Sequence, residues 1–215
     1  MDVYCIPGMG VDERLFRNIK LNNCTIHYIK WESVNSNESL PEYAMRLSKN
    51  IDTSKPFVLI GVSFGGMCAI EIAKKTKPVK IFLISSCKIA DELPFKMVMW
   101  KMMPFYKLLN DDFFKRSTLL IEKQFGVFSK EQKNRFHEML NTAPKDYFAR
   151  AINCILTWKN NVIPENVIHI HGNADQLLPY KNMNCDYVIN GGTHFMVVNK
   201  ADEISEIINN ELNRV

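Results

Sequence analysis

Pro56-Phe57-Val58-Leu59-Ile60-Gly61-Val62-Ser63-Phe64-Gly65-Gly66-Met67-Cys68-Ala69-Ile70-Glu71-Ile72-Ala73-Lys74-Lys75 decides the reading of this chain. Phe57 to Gly61 is a short apolar run, the pattern of a strand buried on both faces. From Gly66 the spacing turns helical. Between them Gly61-Val62-Ser63-Phe64-Gly65 puts a serine on a sharp strand-to-helix turn, the arrangement called a nucleophile elbow. Small residues on either side let strand and helix pass closely. The helix N-terminus adds free backbone N–H groups and a positive dipole end beside the hydroxyl. The bare spacing recurs by chance. Its flanks give it weight.

Strands and helices alternate outward from this stretch. Asp2 to Ile6 reads as a strand that ends at Pro7-Gly8-Met9-Gly10, and Asp12 to Ile19 as a helix with Leu15, Phe16 and Ile19 on one face. Thr25 to Lys30 alternates as a strand does. Ser39-Leu40-Pro41-Glu42 is a capping box opening a helix to about Ile51. Val79 to Ser85, Val167 to His171 and Cys185 to Ile189 complete six expected buried strands. Ala201 to Asn213 is an amphipathic helix. The pattern predicts an α/β fold with a mostly parallel sheet covered on both faces. Residues 89–160 break the alternation. They hold no good strand, are rich in Met, Phe and Lys from Phe95 to Tyr106, and include expected helices at Lys130 to Leu140 and Lys145 to Trp158. This segment reads as a helical cap inserted over the carboxyl ends of a single-domain core formed by residues 1–88 and 161–215.

The 215 residues are 47% hydrophobic and 23% charged, with a net charge of +4. That composition suits one folded domain and argues against disorder. Its lysines are scattered among acids, so no nucleic-acid stripe is expected. The six cysteines form no Cys-x-x-Cys motif. Cys5, Cys68 and Cys185 fall inside expected buried elements, and all six read as free thiols of a reducing compartment. Met1-Asp2-Val3-Tyr4 has no basic n-region and no apolar stretch reaches membrane-spanning length. The expectation is a cytoplasmic protein, with no membrane partner.

A nucleophilic serine needs a base, a group to orient it and donors for an oxyanion. Of five histidines, His27 and His169 lie in expected strands, His137 on a charged helix, and His171 at a strand end. His194 lies in Asn190-Gly191-Gly192-Thr193-His194-Phe195-Met196, directly after the last strand. That is the carboxyl edge, where open α/β sheets place ligands, and His194 is the base expected. Asp175 follows His171-Gly172-Asn173-Ala174 and is the expected orienting acid; Asp91 and Glu92 are the alternatives. The expected oxyanion donors are the backbone N–H groups of Phe64 and Met9.

The order Ser63, Asp175, His194 resembles the α/β-hydrolase superfamily. Gly61 to Gly66 resembles its elbow, His171 to Asp175 with Pro179 its acid loop, Gly191 to Phe195 its histidine loop, and Pro7 to Gly10 its oxyanion loop. Pro7 stands where the family often has His. The family's sheet commonly has eight strands, and this chain starts at the third. The resemblance therefore implies six strands in the order 2-1-3-4-5-6. It also implies a serine hydrolase that cleaves a small, partly apolar ester through an acyl-enzyme on Ser63, without metal or cofactor. The partner expected is a small-molecule substrate, and the protein a monomer or homodimer. Lyase or acyltransferase chemistry on the same scaffold, or a non-catalytic binding protein, are the alternatives.

Overall fold

The computed structural model describes residues 1–102, 104–120, 122–126 and 129–214. Met103 of the Met-rich stretch lies outside that description, as do the side chains of Val98, Trp100, Lys101 and Pro104. Six strands form one sheet: β1 (Asp2–Ile6), β2 (Thr25–Tyr28), β3 (Phe57–Val62), β4 (Lys80–Ile84), β5 (Val167–Gly172) and β6 (Tyr187–Ile189). Their order is β2-β1-β3-β4-β5-β6, and every pairing is parallel. The connections leave β1 and β3 in opposite directions, so a switch point opens between these two strands at the carboxyl edge.

Burial explains which strands were easiest to read. All six residues of β3 are buried, as are four of the five in β1 and in β4. The edge strands differ from the expectation of six buried strands. No residue of β2 is buried, and in β6 only Ile189 is. Each edge has a neighbour on one side alone. On β2, His27 stacks on Tyr4 and bonds Asp2 (Nε2 to Oδ1, 2.7 Å). Cys185 also departs from expectation: it precedes β6 and is only half-buried. All six cysteines are free.

The helices are α1 (Leu40–Leu47), α2 (Phe64–Thr76), α3 (Phe95–Met102), α4 (Asp111–Leu120), α5 (Glu122–Phe125), α6 (Lys130–Leu140), α7 (Phe148–Thr157), α8 (Met196–Asn199) and α9 (Ala201–Leu212). Ser39 and Glu42 cap α1 reciprocally, and α1 passes into a 3-10 turn at Ser48–Asn50. The expected Asp12 to Ile19 helix is one 3-10 turn, Glu13–Phe16. The Asp12 carboxylate accepts the Arg14 N–H and holds the Arg14 guanidinium, which tightens the turn locally.

Register places helices on both faces. Gly61 points at the first turn of α2, so odd-numbered positions of β3 face that helix. Lys80 pairs with Val58 and therefore lies on the other face, where its ammonium meets the buried Glu211 of α9 at 2.9 Å. The first turn of α2 crosses the end of β1 closely. A Cβ at Gly65 would overlap the carbonyls of Ile6 and Pro7, which are backbone and cannot rotate away. Gly65→Ala is expected to destabilise the fold by about 1–3 kcal/mol through overpacking, read as a lower urea midpoint at unchanged slope.

Candidate active site

Ser63 follows β3 at φ 53° and ψ −120°, a conformation costly for any residue with a Cβ. Four hydrogen bonds impose it. The Ser63 N–H reaches Ile84 O at 3.0 Å. Its carbonyl accepts from Gly66 and Met67 N–H at 2.9 and 3.3 Å, and from the Ser86 hydroxyl at 2.6 Å. Ser86, two residues beyond β4, is fully buried. Ser86 is not among the residues the sequence singles out; it directly follows the expected strand Val79 to Ser85, and a small hydroxyl at that place was the available signal.

The loops after β5 and β6 bring Asp175 and His194 to Ser63. His194 Nε2 lies 2.9 Å from Ser63 Oγ, and His194 Nδ1 lies 2.8 Å from Asp175 Oδ2. Asp175 Oδ1 accepts Leu177 and Leu178 N–H, both at 2.9 Å. Burial raises the Asp175 pKa, but the neighbouring His194, the Leu178 N–H and His171 outweigh it, and the net direction is downward. An ionised carboxylate only accepts. The His194 proton therefore belongs on Nδ1, which leaves Nε2 to accept the Ser63 hydroxyl proton.

Two further histidines stand behind the acid. His171 Nε2 bonds Leu178 O at 2.8 Å and lies 3.5 Å from Asp175 Oδ2; its Nδ1 meets His169 Nε2 at 3.1 Å. Both rings are fully shielded from solvent. Burial holds both pKa values down, that of His169 to about 3. Of the other candidates, Glu92 turns its carboxylate to the Lys88 N–H, Asp91 is exposed, and His137 pairs with Glu122 at 3.1 Å.

The Pro7 to Gly10 loop lies beside Ser63, with Gly8 facing the serine Cβ. Trp31 Nε1 donates to Gly8 O at 2.9 Å and fixes the loop. Trp31 also stacks on Phe64, which stacks on Tyr43. Among the described residues no acceptor takes the N–H of Met9 or Phe64. The helical segment after β4 covers this edge at two points. Phe148 of α7 packs on Gly10, and Phe125 of α5 meets the His194 ring edge-on at 5.7 Å. The Phe195 N–H donates to Phe125 O at 2.7 Å, which ties α5 to the histidine loop. Among the described residues, no group of three or more His, Cys, Asp or Glu is placed to hold a metal ion.

A buried histidine held neutral makes stability depend on pH. Below about 6.5 the unfolded chain protonates His169 while the folded chain resists until about pH 3, so stability falls as pH drops through that window. The slope for one such group is about 1.4 kcal/mol per pH unit. His169→Gln keeps a donor for His171 and removes the titration. Its urea midpoint is expected to change less than that of the unsubstituted protein between pH 6.5 and pH 4.5.

No protein-family model matches the chain, and no curated protein matches its sequence. Its fold does match solved structures. MenH from S. aureus superposes with a TM-score of 0.75 at 16% identity, over 100% of this chain and 94% of that one. A thermophilic esterase from Thermogutta terrifontis gives 0.73 at 14%, over 100% and 90%. A lipase-esterase related protein from Clostridium acetobutylicum gives 0.69 at 20%, over 97% and 93%. At these identities the likeness is one of architecture, and the six-stranded parallel sheet in the order 2-1-3-4-5-6 agrees with it. The chain has the α/β-hydrolase fold.

Proposed function

We propose that this protein is a serine hydrolase that cleaves a small, partly apolar ester through an acyl-enzyme on Ser63. The observation that carries the reading is the Ser63–His194–Asp175 relay, with 2.9 and 2.8 Å links, at the carboxyl edge of the sheet. In this reading His194 Nε2 takes the Ser63 proton as Oγ attacks the ester carbonyl. The Phe64 and Met9 N–H groups, which have no acceptor among the described residues, receive the oxyanion. His194 then passes its proton to the leaving alcohol. Water, deprotonated by the same nitrogen, attacks the acyl-enzyme and returns the serine. Asp175 stays ionised throughout and holds the imidazolium. Residues 89–160 act as a cap, and the aromatic rings of Phe125 and Phe148 favour an apolar acyl or alkoxy group.

Intact-mass labelling with a fluorophosphonate tests the nucleophile. A single adduct is expected on the unsubstituted protein and none on Ser63→Ala; a folded protein that takes no adduct overturns the reading in favour of a binding protein. Against a series of p-nitrophenyl esters, Ser63→Ala and His194→Ala are expected to lower kcat by about 10⁵–10⁶, and Asp175→Asn by about 10⁴. An acyl adduct that forms but hydrolyses slowly in water would mark transfer to another acceptor as the true reaction.

Ser86→Ala tests the elbow. Loss of its bond to the Ser63 carbonyl is expected to cost about 1 kcal/mol of stability and to lower kcat with KM little changed, since the hydroxyl positions the nucleophile without reaching the substrate.

A further inference from the structure

The helical segment between β4 and β5 has an inner and an outer side. α3, the Pro104–Leu108 turn and α4 all pack on α7. Met97, Tyr106 and Phe114 point inward: Met97 packs on the core, the Tyr106 hydroxyl bonds Asn153 at 3.0 Å, and Phe114 stacks on Phe148. The outer side is apolar as well. Phe95, Met99 and Met102 recur at i, i+4 and i+7, one stripe along α3, and all three are exposed. Phe105 and Leu108 of the Pro104–Leu108 turn are exposed as well, and so is Phe113 at the start of α4. Phe95 is 75% exposed, Met102 74%, Phe105 68% and Leu108 84%. Single exposed apolar residues are ordinary on a protein surface, but six large ones on one outer layer mark a binding face.

The charge around the stripe selects its occupant. Between Phe95 and Arg116 the sequence holds five cations and two acids. Lys96, Lys107 and Arg116 are exposed, against Asp112 alone among the acids; Asp111 is partly buried and accepts the Phe148 N–H at 3.1 Å. A second copy of the chain meeting this face isologously would bring two surfaces of the same positive excess together. An anionic lipid surface instead offers hydrocarbon for the stripe and phosphate for the cations. Among the described residues no helix is long and apolar enough to cross a membrane, so such contact would be peripheral.

We propose that the outer face of α3, the Pro104–Leu108 turn and the start of α4 is a docking surface for anionic lipid membranes. Phe95, Met102, Phe105 and Leu108 enter the interface while Lys96, Lys107 and Arg116 lie against the headgroups. The proposal goes beyond the hydrolase reading and stands without it, because Ser63→Ala leaves the face untouched.

Cosedimentation of the full chain with vesicles tests it. Binding is expected to phosphatidylglycerol vesicles, weaker to phosphatidylcholine vesicles, and reduced by salt. Phe95→Ser/Met102→Ser/Leu108→Ser and, separately, Lys96→Glu/Lys107→Glu are expected to weaken binding by about tenfold or more. Leu108→Ser alone serves if the triple variant does not fold. Ser63→Ala should bind as the unsubstituted protein does. Failure to bind phosphatidylglycerol vesicles overturns the proposal. So does equal affinity for the two lipids, or a dimer in sedimentation velocity that the triple variant disperses.

Discussion

Ser63 occupies a backbone conformation that its own side chain disfavours, and much of the surrounding structure exists to impose it. The strain, of order 1–3 kcal/mol, is held by the Ile84 carbonyl, the Ser86 hydroxyl and the first turn of α2. That turn reaches its place only because Gly65 and Gly66 present no Cβ to the end of β1 and to Ser86. The elbow in turn fixes where the loops after β1, β5 and β6 must converge. The site is thus a property of four strand ends, those of β1, β3, β5 and β6, before it is a property of any one residue.

Behind the serine, the polar groups form an ordered line into the core. Asp175 is buried yet ionised, because two backbone N–H groups and His194 surround it. His171 spans the turn from β5 to Leu178 and His169 backs His171. Without these partners a buried carboxylate would be costly. With them its orientation is determined, and so is the tautomer of His194. The Trp31 indole performs a similar service for the Pro7 to Gly10 loop by holding the Gly8 carbonyl.

Much of this was legible in the sequence for a physical reason. Strands buried on both faces must be apolar throughout, so β1, β3 and β4 announced themselves, and Ser39 with Glu42 marked the start of α1. Ser63, Asp175 and His194 could be picked out because each lies just beyond a strand with glycines close by in sequence. What stayed hidden depends on contacts between distant positions. Nothing in the local pattern says that Ser86 bonds the Ser63 carbonyl, that Trp31 reaches Gly8, or that Phe125 meets His194. The edge strands were over-read because a local pattern marks a strand without saying whether one neighbour covers it or two. The Asp12 turn was over-read because helical periodicity is shared by 3-10 segments too short to continue.

The long helical segment also shapes how the molecule is made. β3 and β4 pair Val58 with Lys80, a short crossover, whereas β4 and β5 pair Ile81 with Val167 across the entire segment. The entropy of closing a loop grows with its length, and non-local pairings slow folding. The ladder that joins the serine's half of the sheet to the half carrying Asp175 and His194 is therefore the most distant closure in the sheet. A chain emerging in order from synthesis completes β1 to β4, with the elbow already shaped, well before its base and acid exist to join it. In the order of the chain the relay can form only after β6, and the nucleophile stays unpartnered until the sheet is whole.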